Sequence, residues 1–452
     1  MVFGRSTIRS HESRSTPPMH ETLVRIPHQI GPLPVFGWGW ALLLLVIAWI
    51  GWIGATMLRR PRTADPAESD PSSGETPNRP SLLNLIAGSW TWLIVAAMVI
   101  FVAPKVELTN LAGEPVGVAI RGYGFFLLVA VASAVGLAVY RAPKFGVDPD
   151  HVYGVAPWAF FGGIFGARLF YIIQYFDDFV GDSIGQTIGR LMDFTRGGLV
   201  VYGAFIGGGL AVLAYVLRNR MPVRRSGDVI VPCLFLGVLF GRLGCLMHGC
   251  CFGAACEPAW YALNFPPGSP VYSRQMDDGR LFGLNIDDAS GRIESVQPSS
   301  VADRVGIREN ETYAGVEVDR SSLFDAADDV PAEEIRPGYL IRTDRGSYPV
   351  PPSMMPAQAG PVYPAQLISS IGGGLLCLTL CLVPPGRFPP GTLMWAGFLG
   401  YAVLRFGLEI VRVDEAGQFG TSLSISQWVS IVVVILSFVG IALTRRINTA
   451  GS

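Results

Sequence analysis

The chain has 452 residues, of which 50% are hydrophobic and only 15% charged, against roughly 25% charged in an average soluble domain. That deficit excludes an ordinary soluble enzyme of this length, and a formal net charge of -1 leaves no electrostatic footprint for nucleic acid. The 54 glycines suit helices packed closely in lipid, where small residues let backbones approach.

A bilayer core takes about 20 apolar residues of helix. Nine runs qualify: Phe36–Leu58, Ser81–Ala103, Tyr123–Tyr140, Gly154–Tyr175, Gly198–Leu217, Val229–Leu246, Leu367–Val383, Gly391–Val411 and Leu423–Leu443. The first is too long for a cleaved signal peptide, and a second span follows it. Residues 1–35 and 61–80, rich in Ser, Thr, Pro and charge, read as a disordered tail and a linker.

Arginine and lysine mark the cytoplasmic side of a span. Arg59, Arg60 and Arg62 follow span one, Arg141 and Lys144 span three, Arg218, Arg220, Arg224 and Arg225 span five, and Arg445 and Arg446 span nine. All share one side if the N-terminus lies outside; the arginines of the N-terminal tail oppose this, but four loops outvote one tail. The acidic connection after span four (Asp177, Asp178, Asp182) suits the opposite face. Residues 247–362 are then extracytoplasmic, and the tail 444–452 is cytoplasmic. Within that outer segment, residues 258–360 alternate short apolar runs with Asp, Gly and Pro, as a small β-rich domain does. The stretch Phe282–Tyr313, with Gly283, the strand Ile293–Val296 and SSVADRVGI entering a short helix, resembles a PDZ domain of the bacterial protease type. Asn310 and Glu311 stand where that family usually has Gly-Asp. The resemblance implies an extracytoplasmic peptide partner bound by strand addition; a structural spacer is the competing reading.

Ionisable groups inside spans are costly and are functional candidates by default. Arg242 lies in span six and Arg168 in span four. Arg405, Glu409 and Arg412 in span eight share one helical face at i, i+4, i+7. Mutual neutralisation accounts for Arg405 and Glu409 but not for the surplus of guanidinium groups. That surplus suits an anion, and the guanidinium fork matches phosphate oxygens two at a time. In a membrane the obvious anion is a phospholipid head group. The glycines Gly241, Gly244, Gly249 and Gly253 around Arg242 allow a tight turn and close backbone approach.

Six motifs in order then reach a family. IRGYG (Ile120–Gly124), GARLFY (Gly166–Tyr171), GGLVVYGAFIGG (Gly197–Gly208), GRLGCLMHGCCFG (Gly241–Gly253), YPAQL (Tyr363–Leu367) and LRFGLEIVR (Leu404–Arg412) resemble prolipoprotein diacylglyceryl transferases. The resemblance runs from about Ile120 to Leu443 and holds seven of the nine spans, the family's number. It implies an all-α polytopic protein of the bacterial inner membrane, with about nine transmembrane helices in all. The core would comprise residues 120–257 and 361–443. Two further helices in 36–103 and the β-rich PDZ-like insert 258–360 would be additions.

The family moves the diacylglyceryl group of phosphatidylglycerol onto the cysteine thiol of a preprolipoprotein lipobox peptide. By position, Arg242 would hold the lipid phosphate, Arg405 would assist it, and Glu409 would orient that arginine. Tyr123 would line the head-group site and Gly253 would close the turn. Arg168 and Arg412 are further candidates for the anion. No cofactor is expected.

The chain departs from the family where chemistry is expected. Tyr202 replaces a usual histidine, and tyrosine, ionising at about pH 10, is a poorer base at neutral pH. Cys245 and His248 replace asparagines, Cys250 replaces a glutamate, and Cys251 adds a vicinal thiol. His248 is the alternative base, or else an interfacial histidine bonded to backbone. With Cys256 these make a thiol cluster whose ordinary outcome outside the cytoplasm is a disulfide or packing. Adjacent cysteines rarely both ligate one ion, so no metal is expected there. Competing functions are phospholipid binding, thiol-redox work through the cluster, and a binding module acting through the insert.

Overall fold

A computed structural model of the protein describes residues 22–58, 90–110, 112–179, 183, 186–187, 200–287, 290–319, 337–412 and 420–450. The expected linker 61–80, the loop residue Asp182, Arg59, Arg60, Arg62, Gly197 and Gly198 lie outside these residues, as does the start of the second span. The described part divides into two compact units.

The first unit contains Gly122–Arg274 and Gln358–Ser452 and is helical. Its long helices are α3 (Gly122–Arg141), α4 (Asp150–Gln174), α5 (Val201–Arg218), α6 (Val223–His248), α9 (Ala365–Leu382), α10 (Thr392–Arg412) and α11 (Ile425–Ala450). Among the described residues, six helices are long and apolar enough to cross a membrane, all of them in this unit. Three shorter apolar helices, Trp40–Thr56, Trp92–Val106 and Tyr202–Arg218, occupy the other three expected spans. Helices are the natural form here, because each satisfies its own backbone donors and acceptors without water. The chain is a multi-pass membrane protein.

Glycine sets how closely these helices meet. A Cβ on Gly166 would sit 2.3 Å from the carbonyl oxygen of Gly203, and one on Gly207 2.4 Å from that of Gly162. Both helices thus carry glycines four apart on the shared face, the small-residue packing of membrane helices. At the α3–α6 contact, a Cβ on Gly122 would meet the Met247 side chain at 2.8 Å, so α3 begins directly against the end of α6. On α6, Val231 and Phe235 pack with Cys377 and Leu380 of α9 and Leu393 of α10, while Val229 and Cys233 pack with Ala138 of α3. α6 is the central helix of this core.

One buried carboxylate fixes how α10 starts. Asp228 of α6, 3% exposed, accepts from the backbone N–H of Gly391 at 2.7 Å and of Met394 at 2.9 Å. Those N–H groups belong to the opening turn of α10, whose first donors have no partner within their own helix. Arg141, taken from sequence as a marker of the cytoplasmic side, is buried as well: it donates to the Asp228 carbonyl at 3.3 Å and lies 4.8 Å from the Phe145 ring centre.

The connections beyond the C-terminal end of α6 converge on residues 253–263. Gly253 donates to the Tyr363 carbonyl at 3.1 Å, and Tyr363 donates back to Ala254 at 3.0 Å. Ala254 donates to Val411 at 3.1 Å and Cys256 to Pro361 at 3.0 Å. Leu263 and Val362 exchange two bonds of 3.0 Å. The chain leaving α6 is thereby stapled to the chain entering α9 and to the end of α10.

The second unit contains His20–Arg121 and Gln275–Ala357. In its N-terminal portion, β1 (Thr22–Pro27) pairs antiparallel with β5 (Pro115–Arg121), which also pairs with β4 (Leu108–Thr109). Residues 22–34, expected within a disordered tail, therefore carry strands, including the short hairpin β2 (Gln29–Ile30) and β3 (Leu33–Pro34). The cause is a partner strand some ninety positions away, which a local composition reading does not see. Helices α1 (Trp40–Leu58) and α2 (Trp90–Ala97) follow, and α2 runs into a π-helical stretch at Met98–Val102.

In its C-terminal portion, after α7 (Pro270–Asp277), the hairpin β6 (Leu284–Ile286) and β7 (Ile293–Val296) precedes α8 (Val301–Val305). A three-stranded antiparallel sheet follows in the order β10 (Gly346–Val350), β9 (Gly338–Thr343), β8 (Tyr313–Asp319). Phe282, Leu284, Ile293, Val301, Ile307, Ile341 and Val350 form a common apolar core. The insert is β-rich as expected. Asn310 holds φ +68°, a conformation glycine supplies freely and asparagine tolerates. Glu311, 1% exposed, accepts from Thr343 at 2.8 Å and from the Tyr348 hydroxyl at 3.1 Å.

Two substitutions test this framework. Asp228→Ala strands two donors of α10 and should cost about 2–4 kcal/mol, read as a lower melting temperature in detergent, with Asp228→Asn losing less. Gly253→Val places side-chain carbon where a Cβ already lies 2.6 Å from the Tyr363 Cβ. It should open the staple, read as faster amide exchange at Ala254 and Tyr363, while Gly241→Ala, where a Cβ meets nothing, should leave exchange unchanged.

Candidate functional site

Three helices bring the expected polar residues together. On α10, one turn separates Arg405 from Glu409, and Arg405 Nη1 lies 2.6 Å from Glu409 Oε2. The i, i+4 spacing makes this pair, and burial of Glu409, 6% exposed, requires it, since an unpaired carboxylate is costly away from water. The other arm of the guanidinium, Nη2, donates to Ser426 Oγ at 2.8 Å. Ser426 Oγ in turn lies 3.0 Å from the Tyr202 hydroxyl of α5. Tyr202, Ser426, Arg405 and Glu409 therefore form one continuous polar chain across α5, α11 and α10.

A second group gathers at the end of α6. The Arg242 guanidinium lies within electrostatic range of Cys245, Cys251 and the Tyr401 phenol. Tyr401 is held by stacking on Phe235, ring centres 5.8 Å apart. Cys245, Cys250 and Cys251 place their sulfurs within 4.8 Å of one another, and all seven cysteines are free thiols. Arg412 lies within electrostatic range of Cys251. Tyr123 at the start of α3 is within the same range of Arg242 and of all three thiols, and its ring centre is 6.0 Å from that of His248.

The backbone explains this convergence. α6 ends at Gly249, φ +78°, whose N–H closes on the Cys245 carbonyl at 2.9 Å. Cys250 donates to the same carbonyl at 3.1 Å. Cys251 then takes φ +57°, a conformation few non-glycine residues adopt. This left-handed turn breaks the alternation that would send neighbouring side chains to opposite sides. Gln366 of α9, fully buried, donates Nε2 to the Cys250 carbonyl at 2.9 Å, and its Oε1 is buried with no hydrogen-bond partner among the described residues.

Of the residues expected from sequence, Tyr202, Arg405 and Glu409 share the first group, and Arg242, Tyr123, His248, Arg412, Cys245, Cys250 and Cys251 share the second. Gly253 lies in the staple rather than among the side chains. Cys256 stands outside the group of three sulfurs, its backbone bonded to Pro361. Arg168, 5% exposed, lies over the rings of Tyr171 and Phe179, 5.7 and 5.3 Å from their centres. Ser426, Gln366 and Tyr401 are the residues that sequence reasoning passed over. Gln366 carried a signal, since it stands inside the quoted motif YPAQL; Ser426 and Tyr401 had none.

Comparison with known proteins identifies the family. Residues 114–443 match the family described as prolipoprotein diacylglyceryl transferase. A Rhodopirellula baltica protein named phosphatidylglycerol–prolipoprotein diacylglyceryl transferase is 40% identical over 460 aligned residues, 95% of this chain and 90% of the relative. Proteins of the same name from Clostridium tetani and, as a second copy, Clostridium perfringens are each 34% identical, over 31% and 36% of this chain and 54% and 64% of their own length. With a family match across most of the chain and a near full-length relative, the protein belongs to the prolipoprotein diacylglyceryl transferase family.

Proposed function

We propose that the chain transfers the diacylglyceryl group of phosphatidylglycerol to the cysteine thiol of a preprolipoprotein lipobox peptide in the bacterial inner membrane. The observation that carries this reading is the pairing of Arg405 with Glu409 and Ser426 in a chain of this family. That pairing aims a guanidinium whose partners are fixed before any substrate arrives, and fixed donors stabilise developing charge without reorganising.

The reaction breaks a carbon–oxygen bond to phosphate, so negative charge grows on the departing phosphate. Arg242 and Arg405 take that charge in this reading, with Glu409 orienting Arg405 and Tyr202 reaching it through Ser426. Tyr123 lines the head-group site beside Arg242, and Arg412 adds positive charge near Cys251. Residues 247–362 face outward, where secreted precursors arrive, and the C-terminus faces the cytoplasm. The β-rich insert is PDZ-like, a reading supported by the left-handed Asn310 and the buried Glu311, and takes an extracytoplasmic peptide.

The test is transfer of labelled glycerol from phosphatidylglycerol to a lipobox peptide by the purified full chain, alongside complementation of a transferase-depleted bacterium. Arg242→Ala and Arg405→Ala should each lower the rate at least about 100-fold. Ser426→Ala should lower it about tenfold, the size of one charge-assisted hydrogen bond. A correctly inserted wild type that neither labels the peptide nor complements would overturn the reading.

A further inference from the structure

The polar chain through Tyr202 leaves one demand of the reaction unassigned. The incoming cysteine must attack as a thiolate, yet the Tyr202 hydroxyl is already engaged by Ser426. The unabsorbed feature lies beside the anion site: three free thiols, Cys245, Cys250 and Cys251, with sulfurs within 4.8 Å of one another. Three sulfurs around one zinc at about 2.3 Å each stand about 3.8 Å apart, so the cluster needs only a small contraction to close on an ion.

Two features set this cluster apart from chance crowding of thiols. Its convergence depends on a left-handed backbone at Cys251, φ +57°, and such strained conformations gather at functional sites. The Gln366 amide and the staple hold the same turn from α9 and α10. Arg242 and Arg412 lie within electrostatic range of Cys251, and two guanidinium groups offset the charge of a thiolate-rich centre.

We propose that Cys245, Cys250 and Cys251 bind a thiophilic divalent cation of the zinc class, whose open fourth position takes the incoming cysteine thiol as a thiolate. The inference rests on the transferase reading for its substrate, not for its metal. Three protein ligands with one open position is the arrangement of catalytic rather than structural zinc, and a thiol that coordinates such an ion is deprotonated by it. The substrate thiol binds with loss of its proton to water. Its sulfur lone pair attacks the glyceryl carbon, and the carbon–oxygen bond breaks with its electrons passing to the phosphate oxygen. The product thioether is neutral, a weaker ligand than a thiolate, and leaves the ion. Because Arg242 lies within electrostatic range of the sulfur cluster and holds the phosphate in the transferase reading, nucleophile and leaving group share one guanidinium.

The test loads the reduced full chain in detergent with Co2+ in place of zinc. One cobalt per chain should bind with a thiolate-to-metal charge-transfer band in the near ultraviolet, displaced by Zn2+. Cys245→Ser, Cys250→Ser and Cys251→Ser should each weaken binding at least about tenfold, whereas Cys256→Ser should not. A lipobox peptide should raise the band by about one third, a fourth sulfur joining three, and its Cys→Ser counterpart should not. Wild-type protein with every thiol titratable but no band overturns the proposal, as does a band that ignores the peptide. Lipid transfer without the band overturns the metal alone, while the band and its peptide response without lipid transfer overturn the transferase reading and leave the metal site standing.

Discussion

Backbone hydrogen bonds beyond the C-terminal end of α6 hold together what the sequence separates. Gly253, Ala254 and Cys256 are bonded to Tyr363, Val411 and Pro361, joining the exit of α6, the entry of α9 and the end of α10. Side chains at three helix ends face one another only while this tie holds. It works because it uses main-chain groups that water or lipid could not satisfy equally well at a buried crossing. Gly253 is required there by the Tyr363 backbone pressed against it, rather than by any unusual dihedral of its own.

The opposite end of the same helices is fixed by a different device. Asp228 of α6 grips the opening turn of α10, so the two helices are pinned at both ends. From Met394 to Arg405 is eleven residues, a rise of about 16 Å, and the height of Arg405 relative to Arg242 is thereby set by a carboxylate far from either. Within the span, Arg405 meets Glu409 and Ser426, and Arg242 lies within electrostatic range of two thiols and a phenol. The half-buried Arg405 thus has a carboxylate and a hydroxyl in place, as the low dielectric demands.

Much of this was legible in the sequence because it is one-dimensional. An apolar run long enough to span a bilayer announces a helix whatever its neighbours do, and Arg405 with Glu409 at i, i+4 announces a pair. Ser426 and Asp228 were not legible, because each is a single small polar residue whose partner lies on another helix. The strand Thr22–Pro27 was hidden for the same reason, its partner being Pro115–Arg121. The cysteines show the limit most sharply. Adjacent cysteines argue against convergence as long as the backbone is assumed regular, and only the left-handed turn at Cys251 reverses that.

The staple also bears on how such a chain tolerates a long excursion between two helices. Residues 258–360 leave and re-enter the core at a point already closed by hydrogen bonds, so their ends are held together whatever lies between. Lengthening an excursion from ten residues to a hundred raises its closure cost by only about 2 kcal/mol. A core with such a clasp can therefore carry a long excursion of varied length and sequence with little consequence for its own folding.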